Sequence, residues 1–166
     1  LGTAHLVTLL LTTSPWFLFL GASYMTHPLS LLLMAGALLL LARARAEGGA
    51  HRALVAGLLI GWLFLVRPLE GLVVGGALGL WCLGVCGARL PLRSTALFTA
   101  GAAAVAALAI PYNLHFTGRA FEFPINAYTA RLWAPNSNSL GFGPDKGPPG
   151  GWNLDPYPGH GWRDVL

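Results

Sequence analysis

Charge is scarce in this sequence. Of its 166 residues, 10 are Lys or Arg and 6 are Asp or Glu, while 55% are hydrophobic. Soluble domains carry about 25% charged residues, so the 10% found here leaves too little solvating charge for an ordinary water-facing surface. Cysteine is almost lacking as well. Cys82 and Cys86 are spaced i, i+4 in an apolar run, which predicts two small hydrophobes on one helix face rather than a disulfide. There is no phosphate-binding G-x-x-x-x-G-K-[ST] loop, no G-x-G-x-x-G and no G-x-S-x-G elbow, so nucleotide-driven chemistry has no support. No Asn-x-Ser/Thr acceptor occurs, and no H-x-x-x-H or H-E-x-x-H spacing marks a metal site. A charged n-region and a cleavage site are lacking too, so no signal peptide is read. The chain starts without Met inside an apolar run and ends on GWRDVL, which reads as an internal piece of a longer protein.

What the sequence has in plenty is Leu, Ala, Gly and Val, in runs too long for core strands, at a mean hydropathy of +0.62. The fold class expected is an all-α integral membrane protein, a multi-pass helical bundle of about five apolar segments. These are Ala4 to Leu20 (interrupted at Ser14-Pro15), Leu29 to Ala42, Ala53 to Val66, Gly71 to Gly87 and Ser94 to Ile110, the last ending at Pro111. Several fall short of the roughly 20 residues that span a bilayer, which predicts a bundle in which neighbours bury the short segments. Residues 1–110 form this bundle, and residues 111–166 form a Pro-, Gly- and aromatic-rich segment of irregular structure.

The positions of the charges set the orientation. Arg43, Arg45 and Arg52 fall in one connection and Arg89 and Arg93 in another, against the lone Arg67 between them. By the positive-inside rule the first two connections are cytoplasmic. Arg67, Glu70, the Tyr24–His27 connection and residues 111–166 are then extracytoplasmic. This patterning also accounts for the basic pI of 9.6 without nucleic acid. Gly57 with Gly61, and Gly71 with Gly75 and Gly79, recur every four residues, as helix faces in close contact do. The run AGAAAVAALA is similarly thin and is expected inside the bundle.

Arg67 is the leading candidate site residue. An Arg at a helix end, followed by Pro68, is placed to bind an anionic head group or phosphate. The bland alternative is that it snorkels to the interface and pairs with Glu70 across the turn. His27 and His115 share the predicted face of Arg67 and could bind a metal or serve as acid–base groups. Glu122, Asp145, Asp155 and His160 are irregularly spaced and form no recognisable dyad.

In their order, several stretches resemble membrane glycosyltransferases of the GT-C superfamily, uncharacterised bacterial members among them. TTSPWFLFLGASYMTHPLSLLLMAGALLLLARA resembles their middle helices, and LLIGWLFLVRPLEGLVV the following pair, with Arg-Pro at the extracytoplasmic face. IPYNLHFTGRAFEFPINAY, with its Tyr-Asn pattern, resembles the exit from a later helix, and LGFGPDKG with GHGW an extracytoplasmic segment. The resemblance implies transfer of a sugar from a polyprenyl-phosphate donor on the outer face of the inner (plasma) membrane. It implies Arg67 as the donor-phosphate contact with Glu70 and His27 nearby, and Tyr112 and His115 among the substrate contacts. It also implies a catalytic Asp or Glu in a first outer loop that precedes Leu1. The partners expected are membrane lipid and a lipid-linked sugar. No cofactor is implied, with a divalent metal left open. Two alternatives stand beside it: a transporter or flippase-like protein, and a non-catalytic membrane scaffold assembling through its glycine faces.

Overall fold

The computed structural model of the chain describes residues 2–22, 26–87 and 89–132. They form eight helices: α1 (Gly2–Thr13), α2 (Pro15–Ala22), α3 (His27–Glu47), α4 (Ala50–Val66), α5 (Pro68–Cys82), α6 (Leu92–Ala106), α7 (Ala109–Thr117) and α8 (Pro124–Leu132). There is no strand among the described residues. The chain divides into two units, Leu1–Leu108 and Ala109–Leu166, and each is taken by itself below.

Two stretches are long and apolar enough to cross a membrane, His27–Glu47 and Leu92–Thr117, and a third joins them if α1 and α2, bent by 52°, count as one span. At 17 and 15 residues, α4 and α5 are shorter apolar helices. At 1.5 Å per residue they fall a few ångströms short of a hydrocarbon core of about 30 Å. Large apolar side chains cover the outside: Leu32 is 68% exposed, Trp62 56%, Leu72 65% and Val73 64%, a surface suited to lipid rather than water. Neither α1 nor α2 contains a buried residue. The threonines of α1 fit an apolar helix because Thr8, Thr12 and Thr13 each donate a hydroxyl back to the carbonyl four residues earlier. The break at Ser14-Pro15 has a simple cause. Ser14 Oγ accepts the Phe17 N–H (3.1 Å) as an N-cap, and Pro15 opens α2, where a missing N–H costs nothing.

Within the first unit α4 is the central helix, packed most extensively on α6, then on α3 and α5. Ser30, Leu33, Ala37, Leu41 and Ala44 make one stripe of α3 at helical spacing. Ala53, Ala56, Ile60 and Leu63 make the matching stripe of α4, while Gly57 and Gly61 are also buried. A Cβ on Gly61 would stand 2.6 Å from the Ala102 carbonyl oxygen, and one on Gly101 2.7 Å from that of Leu54. A Cβ on Gly57 would collide with the Phe98 carbonyl, and one on Gly71 with the backbone of Phe64. Five of the glycines discussed in the sequence thus divide into distinct groups. Gly57, Gly61 and Gly71 admit a neighbouring backbone, Gly75 faces the Ile60 side chain, and Gly79 meets open space.

Four expectations are corrected. The fourth apolar segment does not continue to Gly87: α5 stops at Cys82, where the Val85 N–H reaches back to the Leu80 carbonyl and Gly84 takes φ +102°, a left-handed glycine stop. Cys82 is therefore buried in a helix, whereas Cys86 is exposed in the turn beyond with φ +64°, so the two share no helix face. The alanine run is not buried as a whole, since Phe98 and Gly101 are covered while Ala103 and Ala104 are exposed. Nor does regular structure end at Pro111. That proline occupies the first turn of α7, where its fixed φ suits a helix and its lacking N–H is not needed. With α8, this puts two nine-residue helices where an irregular segment was expected. Residues 133–166 lie outside the described residues.

Candidate functional site

Arg67 is the single residue between α4 and α5. Pro68 forbids it the helical region, and it is extended at φ −144°, ψ 88°. Both helices nevertheless close on it. Its N–H donates to the Leu63 carbonyl (2.8 Å), and its own carbonyl accepts the Gly71 N–H (2.9 Å). The backbone at Arg67 is thus fixed from both sides.

The side chain is fixed too. Arg67 Nη1 lies 2.5 Å from Glu70 Oε1 and 2.7 Å from His27 Nδ1. Glu70 arrives by local geometry, three residues on in the first turn of α5, where a carboxylate also favours the helix dipole. His27 arrives by packing. It precedes Ser30 by one turn on the stripe that α3 turns to α4, and Arg67 follows Leu63 by one turn on the facing stripe. Each stripe therefore runs out into a polar residue at the same end, and the two touch across 40 residues of sequence. A guanidinium can only donate, so His27 Nδ1 is the acceptor and its ring is neutral with the proton on Nε2. The Ser30 hydroxyl, one turn deeper, is buried without a hydrogen-bond partner.

The opposite end of the unit is built differently. Arg43 and Arg45 end α3, Arg52 begins α4, and Arg89 and Arg93 flank the start of α6. Arg52 pairs with Glu47 at 2.5 Å. Arg45 reaches from α3 to the end of α5, donating from Nη2 to the Trp81 carbonyl (2.7 Å) with its guanidinium 3.6 Å over the Trp81 ring. It places positive charge at the negative end of a helix and stacks on an aromatic face at once. The sequence reading missed this contact. The signal available was an Arg in the last turn of one apolar helix and a Trp at the end of another running parallel to it.

Of the five residues named as substrate contacts, His27, Arg67 and Glu70 come together. Tyr112 and His115 lie on α7 in the second unit, both exposed, each with its ring 4.8 Å from that of Phe116. Beside them Asn113, overlooked as a site residue, is 1% exposed and ties α7 to the following turn by donating from Nδ2 to the Ala120 carbonyl (3.0 Å). Glu122 pairs with Arg119 at 3.3 Å. Asp145, Asp155 and His160 lie outside the described residues, as does Tyr24. Among the described residues no three His, Cys, Asp or Glu side chains gather as metal ligands would.

An apolar groove of about 300 Å³ runs between α4, α5 and α6, floored by Gly71, Gly75, Gly76 and Gly79 and walled by Phe64, Phe98 and Ala102. No family model matches the chain, and no curated protein or solved structure matches it either.

Proposed function

We propose that the chain is part of a bacterial membrane glycosyltransferase, in which Arg67 holds the phosphate of a lipid-linked sugar donor on the extracytoplasmic face of the inner (plasma) membrane. The observation that carries this reading is the fixed guanidinium of Arg67 at the end of the bundle opposite five other arginines. The positive-inside rule puts the arginine-rich end in the cytoplasm and the Arg67 end outside. A departing lipid phosphate gains negative charge, and a guanidinium already held in place stabilises that charge without reorganising. Arginine suits the role because its planar fork matches two phosphate oxygens at once. Ionisable residues at membrane depth are functional candidates by default, and the stretches that resemble GT-C enzymes include the Arg67-Pro68 turn itself.

The test is sugar transfer from a polyprenyl-phosphate sugar in membranes containing the full-length protein. Arg67→Ala should lower turnover by about 100-fold, the scale of removing one preorganised donor, with the protein still inserted and folded. Unchanged turnover removes Arg67 from the site.

A membrane scaffold is the second reading, and one observation favours it. Gly76 and Gly79 face open space in the groove, leaving room for a partner helix. In that case Arg67→Ala is harmless, and Gly79→Leu abolishes co-purification of the partner.

A further inference from the structure

We infer that Glu70 competes with the ligand for Arg67, and that His27 is the residue that positions Arg67 to receive it. This rests on the proposed phosphate-binding role of Arg67 and assigns opposite parts to its two neighbours. Both engage the same nitrogen, Nη1, at 2.5 Å from the Glu70 carboxylate and 2.7 Å from the His27 ring. A carboxylate presents two acceptor oxygens and a negative charge, and so imitates the phosphate for which the guanidinium is suited. While Glu70 is on Arg67 the pair has no net charge, and the carboxylate repels an incoming anion.

Glu70 is also free to leave. Its side chain is 42% exposed, and in the first turn of α5 it keeps a favourable place against the helix dipole with or without Arg67. His27 differs in charge. It is exposed as well, but as a neutral acceptor it orients the guanidinium without cancelling its charge, does not repel an arriving anion, and reaches Arg67 from a separate helix, α3, which is packed against α4. A phosphate therefore displaces Glu70 to solvent while Arg67 stays on His27. The shared chemistry is a phosphate oxyanion, whether on a lipid or free.

The experiment measures binding to the full chain in detergent micelles with two probes. One is inorganic pyrophosphate, by titration calorimetry, and the other is phosphatidic acid against phosphatidylcholine, by retention in mixed micelles. Glu70→Gln should tighten binding by about two- to five-fold, the scale of one exposed ion pair. His27→Ala should weaken it, and His27→Gln, which restores an acceptor, should recover it at unchanged far-ultraviolet circular dichroism. A response to phosphatidic acid alone assigns the ligand to a lipid, and a response to pyrophosphate alone to a free phosphate, either one supporting the inference. If Arg67→Ala abolishes binding but Glu70→Gln weakens it or leaves it unchanged, competition by Glu70 is overturned while the phosphate site stands. If His27→Ala binds as the parent does, the positioning role is overturned. If Arg67→Ala binds as tightly as the parent, the phosphate site itself falls.

Discussion

At Gly61 a single methyl group decides how closely two helices meet. Its added Cβ would stand 2.6 Å from a backbone oxygen of α6, which cannot rotate away, whereas Gly79 on α5 has nothing within 4 Å of the same position. Gly61→Ala should therefore destabilise the bundle by about 1–3 kcal/mol, as overpacking does, and Gly79→Ala should be neutral or slightly stabilising through its better helix propensity. Thermal unfolding of the two variants in detergent checks the contrast, and equal midpoints would contradict it. The four-residue glycine spacing alone could not tell these positions apart, because it says which residues share a face and not which face finds a partner. The same limit applies at the candidate site. Arg67 and Glu70 were legible as a pair because three residues along one chain place them together. The contact with His27 spans 40 residues and was legible only as a shared end of the bundle, once the direction of each helix was assumed.

Elements follow the sequence where a local rule decides them. Ser14-Pro15 starts α2 and Arg67-Pro68 separates α4 from α5, both from the way proline restricts its neighbours. The rule failed at Pro111, where the residue that stops one helix is equally at home opening the next. It failed at Gly84 too, since a left-handed glycine after an apolar run looks no different in sequence from the glycines inside that run. The arginines show what a loop count omits. Arg45 entered the reading as one positive charge among five, yet it joins α3 to α5 through the Trp81 carbonyl and ring. Arg45→Lys keeps the charge and loses the planar stacking and fork geometry. It should lower stability by about 0.5–2 kcal/mol, the range of a cation–π contact, measured by denaturant unfolding in detergent. An unchanged midpoint would show that charge alone suffices there. Trp81→Ala in the Arg45→Lys background should add less than it does alone, because the two side chains form one contact.

For the molecule as a whole, the first unit has two ends of different chemistry: five arginines at one, and a neutral trio of His27, Arg67 and Glu70 at the other. The alternation of helix directions that separates them was legible from apolar segments and short connections. The proposed sugar transfer at Arg67 requires its end of the unit to face away from the cytoplasm. Accessibility of single cysteines, introduced with Cys86→Ser, measures this directly. Leu69 is 55% exposed beside Arg67, and Ala46 is exposed at the arginine-rich end. In intact cells a membrane-impermeant maleimide should label Leu69→Cys and leave Ala46→Cys unlabelled until the cells are opened. Labelling of Ala46→Cys in intact cells, with Leu69→Cys protected, would contradict the account.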